Sequence, residues 1–183
     1  VYAGNLGHAQ NIEVILNSAK KLRDFSDIQF LIFGKGSQEE EYKAIAKKMQ
    51  LINVQFFPLQ PYSEVSNVYS MADLSIVSCK PGFGGIAMPS KTWSILATGT
   101  PIIACFDNES ELRSIIEKFN LGYFADAGNV YDVSDIILEA FRQRDSLKIK
   151  SANARRYAEK NASRNICTNQ YAEIIKKCNS INV

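Results

Sequence analysis

Short apolar runs alternate with amphipathic stretches from the first residue to about residue 142. The run at 28–33 is apolar except for Gln29, which is typical of a strand covered on both faces. Between such runs, apolar residues recur at helical spacing, as Ile12, Ile15 and Leu16 do. The pattern predicts strands at 1–3, 28–33, 54–57, 74–77, 101–105 and 122–124. It predicts helices at 12–22, 39–49, 63–72, 89–98, 109–119 and 130–142.

Strands and helices that alternate in this order indicate an α/β fold, a Rossmann-like doubly wound parallel sheet of about six strands. We assign this domain to residues 1–145. Residues 146–183 carry two polar helices, predicted at 146–160 and 163–178, which we expect to form a C-terminal tail that packs on the domain. The first predicted strand begins at residue 1 without a methionine, so we expect a further, N-terminal domain that this chain lacks.

The composition is that of an ordinary globular domain, with 46% hydrophobic and 22% charged residues. A net charge of +2 argues against a nucleic-acid partner. The four cysteines have neither metal-ligand spacing nor disulfide density, so we expect reduced, mostly buried thiols and a cytoplasmic location. No apolar run reaches the roughly 18 residues that a membrane span needs.

The loops that follow the predicted strands are the candidate binding sites, because ligands of doubly wound sheets bind at the carboxyl ends of the strands. Residues 4–8 read GNLGH, which is either a phosphate-facing loop or a simple strand-to-helix turn. Residues 34–36 read GKG, and the same two interpretations stay open there. His8 is the only histidine, and without a visible partner it is more typical of a loop residue than of a catalyst.

The loop at residues 78–91, SCKPGFGGIAMPSK, is the most informative because three glycines fall within four residues. This density suggests backbone N–H groups that approach a ligand. The next helix is predicted to begin at Pro89, which would place Ser90 and Lys91 at a phosphate-binding N-terminus, and Lys80 could add charge. The alternative is a structural turn with solvated lysines. The acidic residues of the loop at 106–111, FDNESE, either cap the following helix or accept hydrogen bonds from sugar hydroxyls.

Six short segments occur in a familiar order: GNLG with QN at 4–11, GKG at 34–36, SMADL at 70–74, KPG at 80–82, PSK at 89–91 and ATGTP at 97–101. Together they resemble the C-terminal domain of GT-B-fold, family-4 retaining glycosyltransferases, especially the bacterial capsular and exopolysaccharide enzymes. The resemblance covers roughly residues 1–142. The tail resembles the closing helices of the same fold.

The resemblance implies that this half binds the nucleotide diphosphate of a sugar donor, most often a uridine nucleotide. By position, the implied nucleotide- and diphosphate-binding residues are Gly7, His8, Gly34, Lys35, Leu59, Gln60, Lys80, Ser90, Lys91, Thr92 and Ser94. The implied donor-sugar residues are Glu109, Ser110 and Glu111. No catalytic residue is assigned, because the resemblance implies that the acceptor site and a catalytic histidine belong to the N-terminal domain. It implies no metal and no cofactor, since the nucleotide-sugar is a substrate.

The sequence departs from the family pattern at two places. Many relatives carry a pair of glutamates, whose positions here fall near Ile86 and at Ser94, and neither residue is acidic. Gln10 stands where lysine is common. The charge of the diphosphate would then be met mainly by Lys91, with Lys35 or Lys80 as possible contributors.

The implied reaction transfers a sugar, with retention of its anomeric configuration, from a UDP-sugar to a glycan or lipid-linked acceptor in polysaccharide biosynthesis. We expect the chain alone to be inactive, and we expect peripheral contact with the inner membrane face through the missing half. Two alternatives stay open: a non-catalytic scaffolding subunit of the same fold and a nucleotide-sugar epimerase. A nicotinamide dehydrogenase is disfavoured because the G-x-G-x-x-G fingerprint is absent.

Overall fold

The computed structural model describes residues 1–84 and 88–180. The strands are β1 (Tyr2–Asn5), β2 (Phe30–Lys35), β3 (Val54–Phe57), β4 (Ser75–Ser78), β5 (Ile102–Phe106) and β6 (Gly122–Asp126). The helices are α1 (Ile12–Lys21), α2 (Glu39–Lys48), α3 (Val65–Ser70), α4 (Lys91–Ala97), α5 (Glu111–Phe119), α6 (Val130–Arg142), α7 (Arg144–Tyr157) and α8 (Arg164–Ser180). Short 3₁₀ segments occupy His8–Gln10 and Tyr62–Glu64, and a π-helical segment occupies Ala158–Ala162.

All paired strands run parallel, in two ladders with the orders β1-β2-β3 and β4-β5-β6. The ladders adjoin where the Ile76 backbone N–H of β4 donates to the Val1 carbonyl, just before β1, over 2.8 Å. The strand order is therefore β3-β2-β1-β4-β5-β6, and it reverses between β1 and β4. The α/β, Rossmann-like prediction is confirmed, and the reversal between β1 and β4 marks the expected ligand edge.

The sheet is the middle layer of the domain, as β5 shows most clearly. Ile102, Ala104 and Phe106 belong to one buried cluster, which also contains residues of α4 and α5. Ile103 and Cys105 belong to another cluster, formed with α1, α2 and α6. Because successive side chains of a strand point to opposite faces, an uninterrupted apolar run fits a strand that is covered on both sides.

Several strands extend further toward the ligand edge than the apolar pattern predicted. In β1, Gly4 pairs with Gly34 and Asn5 with Lys35, although the predicted strand stopped at residue 3. In β6, Asp126 pairs with Phe106 in the same way. Backbone pairing therefore continues after the side chains cease to be apolar, because the ladder is made by backbone groups and does not require a buried side chain.

The C-terminal residues differ in how closely they pack. Helix α7 lies against α4 and α5, with Ala154 buried and the Tyr157 ring stacked on Trp93 at 6.4 Å between centroids. The side chains of α8 that the structure describes, residues 164–178, are exposed or half-buried. None of the helices among the described residues combines the length and hydrophobicity that crossing a bilayer requires.

The prediction of mostly buried cysteines is wrong for the tail. Cys79 and Cys105 are buried near the sheet, whereas Cys167 is half-buried and Cys178 is exposed. All four thiols are free. The difference arises because α8 packs against little of the domain, so its side chains stay near solvent whatever their polarity.

Candidate functional site

A cavity of about 730 Å³ opens at the carboxyl edge of the sheet, where β1 and β4 lie side by side. Of the residues predicted from the sequence, Leu59, Gln60, Ser90, Lys91 and Ser94 line it. A second cavity, of about 240 Å³, lies at the opposite edge among residues that precede the strands, Val1 and Gln29 included. The larger cavity is at the edge where doubly wound sheets bind their ligands, so it is the candidate site.

The loop after β1 is closed by the side chain of Gln10. Its Oε1 accepts hydrogen bonds from the Gly7 backbone N–H, at 3.2 Å, and from Asn5 Nδ2, at 3.3 Å. The Gln10 carbonyl in turn accepts the Ser78 hydroxyl at 2.7 Å, which fixes the loop to β4. The Gly7 amide therefore has a partner inside the protein. His8 is exposed, and its Nδ1 lies 3.5 Å from Lys80 Nζ, outside the residues that line the cavity.

The GKG segment at 34–36 is explained by packing between β2 and the loop after β1. A Cβ on Gly34 would overlap the Gly4 carbonyl oxygen and lie 2.8 Å from Leu6 Cγ. A Cβ on Gly36 would overlap the Leu6 carbonyl oxygen. Lys35 is exposed at the end of β2, and its carbonyl accepts the Leu6 N–H. Neither Gly34 nor Lys35 lines the cavity.

The described part of the glycine-rich loop is held by a carboxylate from the neighbouring loop. The Gly82 N–H donates to Asp107 Oδ1 over 3.0 Å, and the Gly84 N–H donates to Asp107 Oδ2 over 2.7 Å. The expectation that these glycines expose amides toward a ligand is therefore wrong for these two amides. The remaining glycine of the loop and the predicted glutamate position near Ile86 lie outside the described residues.

The start of α4 brings several side chains to the cavity. The helix begins at Lys91, not at Pro89, and it has seven residues. The Thr92 and Trp93 amides already donate to the Pro89 and Ser90 carbonyls. The expected phosphate site at the free amides of a longer helix is therefore not formed by these two groups, and the ligand chemistry here depends on side chains.

The Ser90 hydroxyl makes no capping hydrogen bond, and it lines the cavity together with Ser94. Thr92 is fully buried, and its Oγ1 has no hydrogen-bond partner among the described residues. Ser90 and Ser94 are thus placed to contact a ligand, whereas Thr92 is turned into the core.

Lys91 is the cation of the cavity wall, and it is half-buried. Its Nζ lies over the ring of Tyr2, 4.0 Å from the centroid. Desolvation by burial lowers the pKa of Lys91 to about 8. At neutral pH the ammonium is therefore still protonated, but it is poorly solvated, and an anionic ligand would relieve that cost.

Another part of the cavity lining is apolar and aromatic. Leu59 and Tyr62 line it and are exposed by 56% and 92%. Phe33, also in the lining, stacks on Phe57 with 4.7 Å between ring centroids. The Gln60 amide donates to the Pro58 carbonyl, which fixes the turn that carries it. A flat, uncharged ring system fits between such groups better than an anion does.

Glu109, Ser110 and Glu111 stand at the beginning of α5. Ser110 is buried and its hydroxyl accepts the Arg113 N–H at 3.4 Å, so it is the N-cap residue of the helix. Glu109 and Glu111 are exposed and do not line the cavity. Within the described ranges, no group of three or more His, Cys, Asp or Glu side chains is arranged to hold a metal ion.

Cys79 lines the cavity but is not a nucleophile at neutral pH. Burial, together with the negative charge of Asp107, raises the pKa of its thiol to about 12. A reactive cysteine needs the opposite shift, toward the thiolate.

Two residues that shape the site, Tyr2 and Asp107, were not predicted from the sequence. Tyr2 was counted as part of a buried strand, and Asp107 as part of an acidic cap. The available signal was position for Asp107 alone, because it directly follows the carboxyl end of β5, whereas Tyr2 is the first residue of β1. The partners themselves could not be read, because Tyr2 meets Lys91 across 89 residues and Asp107 meets Gly84 across 23.

Comparisons with known proteins agree with this architecture. The model of the family "Glycosyl transferases group 1" matches residues 1–161. WcaI of Escherichia coli (strain K12), named as a glycosyl transferase of colanic acid biosynthesis, is 29% identical over 177 residues. That match covers 96% of this chain and 42% of WcaI, so the chain spans less than half the length of this relative.

Two solved structures share the fold. A sucrose-phosphate synthase from Thermosynechococcus elongatus has a TM-score of 0.82 at 14% identity, over 98% of this chain and 46% of that one. HepE from Anabaena, crystallised with UDP-glucose, has a TM-score of 0.81 at 14% identity, over 96% of this chain and 48% of that one. The fold is thus the Rossmann-like half of the GT-B fold. By its sequence match over residues 1–161, the chain belongs to the group 1 glycosyl transferase family.

Proposed function

We propose that this chain is the donor-binding half of a family-4, retaining glycosyltransferase that uses a UDP-sugar. The observation that carries the proposal is a half-buried lysine in the wall of a large cavity at the reversal of strand order. The related fold of HepE was crystallised with UDP-glucose, which supports a uridine nucleotide as the ligand class.

In this proposal Lys91 binds the diphosphate. Its ammonium is the positive charge of the cavity wall, and Ser90 and Ser94 add hydroxyl donors on the same helix turn. The two family glutamates are absent, so the ribose would be contacted by Ser94 or by backbone groups. The uracil ring would occupy the apolar side, near Leu59 and Gln60.

In this proposal, the role of this half in the reaction is to stabilise the leaving group. When the bond between the sugar and the diphosphate breaks, negative charge develops on the departing phosphate oxygen. A preorganised ammonium in a poorly solvated site stabilises that charge more strongly than water does. Lys91 therefore acts in the transition state as well as in binding, and no metal ion is invoked.

The remaining parts of the reaction belong to groups beyond this chain. We place the acceptor, a glycan or lipid-linked sugar of polysaccharide biosynthesis, on an N-terminal domain that faces the cavity. Catalytic groups would come mainly from that domain, and this chain alone would be inactive. We further propose that the whole enzyme works in the cytoplasm, with peripheral contact at the inner membrane face.

Calorimetric titration of this chain with UDP, GDP and ADP tests the donor assignment. We expect saturable binding of UDP in preference to the other two nucleotides. Lys91→Ala should weaken UDP binding about 10- to 100-fold, because it removes a charge-assisted contact from a desolvated site. Lys47→Ala, an exposed lysine at the end of α2, is the matched control and should leave the affinity unchanged.

Two outcomes would contradict the proposal. If Lys91→Ala and Lys47→Ala bind UDP equally well, the diphosphate does not bind at Lys91. If none of the three nucleotides binds to the chain or to a longer protein that includes the N-terminal domain, the scaffolding alternative is favoured instead.

A further inference from the structure

The face of a buried tyrosine lies against the Lys91 ammonium. Tyr2 is only 1% exposed, and Lys91 Nζ is 4.0 Å from the centroid of its ring. The Tyr2 hydroxyl donates to the Asn5 carbonyl over 2.6 Å, so the ring is fixed at both ends, by the β1 backbone and by this bond. A cation over an aromatic face at this distance is attracted by the ring quadrupole.

Gly4, which has no side chain, leaves space for the Lys91 ammonium in the same part of the site. Gly4 has φ +145°, and a Cβ at this position would lie 2.6 Å from Lys91 Nζ and 3.2 Å from its Cε. Any other residue would therefore displace the ammonium as well as strain the backbone. The ring of Tyr2 and the bare backbone of Gly4 together form a seat for the Lys91 ammonium.

The seat contains no carboxylate. The ion pairs found among residues 1–84 and 88–180 all involve other cations, so none of them includes Lys91. A lysine held by an aspartate or glutamate would have to give up that partner, or share it, when an anion arrives. A lysine held by an aromatic ring keeps its full charge for the ligand.

We propose that Tyr2 is a positioning residue, which holds the Lys91 ammonium in place for the diphosphate without neutralising it. The inference rests on the proposed donor function and deepens it. Preorganisation lowers the cost of binding, because the long lysine side chain is already ordered before the ligand arrives. The benefit is specific to the phosphate end of the ligand, since the uracil side of the cavity is formed by other residues.

Comparing UDP with uridine separates positioning from general structural damage. Tyr2→Phe keeps the ring and should bind UDP within about twofold of the unaltered chain. Tyr2→Leu removes the aromatic face and should weaken UDP binding about three- to tenfold, the effect of leaving one long side chain to be ordered on binding. Uridine has no phosphate, so its affinity should be the same in all three proteins.

A double mutant makes the test specific to Lys91. In the Lys91→Ala background, Tyr2→Leu should cause no further loss of UDP affinity. The proposal is overturned if Tyr2→Leu weakens uridine and UDP equally, or if its full effect on UDP persists without Lys91. Failure of both the unaltered chain and a longer protein that includes the N-terminal domain to bind UDP would instead overturn the donor assignment.

A measurement on the unaltered chain covers the case in which Tyr2→Leu does not fold. The Lys91 ε-methylene protons lie beside the ring face, so their NMR resonances should be shifted upfield by the ring current. The shift should persist in Tyr2→Phe. Resonances at the position of a free lysine side chain would show that the ring does not hold Lys91, and would overturn the proposal.

Discussion

Two glycine-rich regions at the same edge of the sheet look alike in sequence, but the structural reason for their glycines differs. The first region comprises Gly34 and Gly36, where any side chain would collide with the backbone of β1 or of Leu6, which follows it. The second is the loop at 80–84, where a Cβ on Gly82 would meet nothing within 4 Å. The first needs glycine for close packing at both positions. In the second, Gly82 needs only backbone freedom, whereas a Cβ on Gly84 would lie 2.8 Å from the Asp107 backbone nitrogen, and the amides of both glycines are held by Asp107. Glycine density alone therefore does not identify a ligand loop.

The sharpest test of the first region is Gly34→Ala. The new methyl group would overlap the Gly4 carbonyl oxygen inside a buried strand pair, so β1 and β2 would have to separate. We expect a loss of about 3 kcal/mol in the free energy of unfolding, measured by urea denaturation. If Gly34→Ala lowers the free energy of unfolding by less than Gly82→Ala does, the proposed difference between these two glycines is wrong.

The second region should respond most strongly to Asp107→Ala. This change leaves the Gly82 and Gly84 amides without their acceptor, at a cost of about 2 kcal/mol. Hydrogen exchange at these two amides should speed up, while exchange within β2 stays slow. Asp107→Asn retains one oxygen acceptor and should cost about half as much. Equal exchange rates in all three proteins would contradict the assigned role of the carboxylate.

Lys91 connects the two regions, because it follows the second loop in sequence and contacts Gly4 beside the first. Its pKa is lowered to about 8, so the charged form is fully present well below pH 8 and is lost as the pH rises above it. UDP affinity should therefore fall about tenfold between pH 7 and pH 9, since binding then requires uptake of a proton. The terminal phosphate is already ionised above about pH 7, and Cys79 titrates only near 12.

The control for this pH profile is Lys91→Ala. Its weaker UDP affinity should be nearly constant between pH 7 and pH 9, because the titrating group is gone. If calorimetry finds the same pH dependence in both proteins, the ionisation that governs binding belongs to another residue.

The smallest expected effect is that of Gly82→Ala. The substituted residue would keep φ near +85°, which is unfavourable for a residue with a Cβ, but it would meet no neighbouring atom. We expect a loss of about 1 kcal/mol in the free energy of unfolding. The same denaturation series that includes Gly34→Ala measures it, so the two glycines are compared directly.

The architecture could be predicted because it depends on local patterns. The apolar run that became β5 is buried on both faces, and the helical spacing of Ile12, Ile15 and Leu16 places all three in the core. The predicted boundaries of β3 and α6 match those observed. Strand ends were missed at Asn5 and Asp126, where polar residues continue the backbone ladder.

The candidate site could be predicted only in part. Leu59, Gln60, Ser90, Lys91 and Ser94 line the cavity, as their positions after the strands suggested. Gly7, Gly34 and Lys35 are at the same edge. The Gly7 amide donates to Gln10, Gly34 packs tightly against the Gly4 backbone, and the Lys35 carbonyl accepts the Leu6 N–H. Whether any of them contacts the donor stays a prediction.

The sequence by itself determined which segments form strands and helices, the parallel sheet they build, and the edge of that sheet at which the candidate site lies. Hydrophobic periodicity and turn residues act over a few positions, so a single chain is enough to read them. Only the tertiary structure decided that the Lys91 ammonium rests on Tyr2 beside Gly4, and that Asp107 holds the glycine-rich loop. These contacts join loops from different strands, and their geometry exists only once the parallel strands have brought their carboxyl ends together.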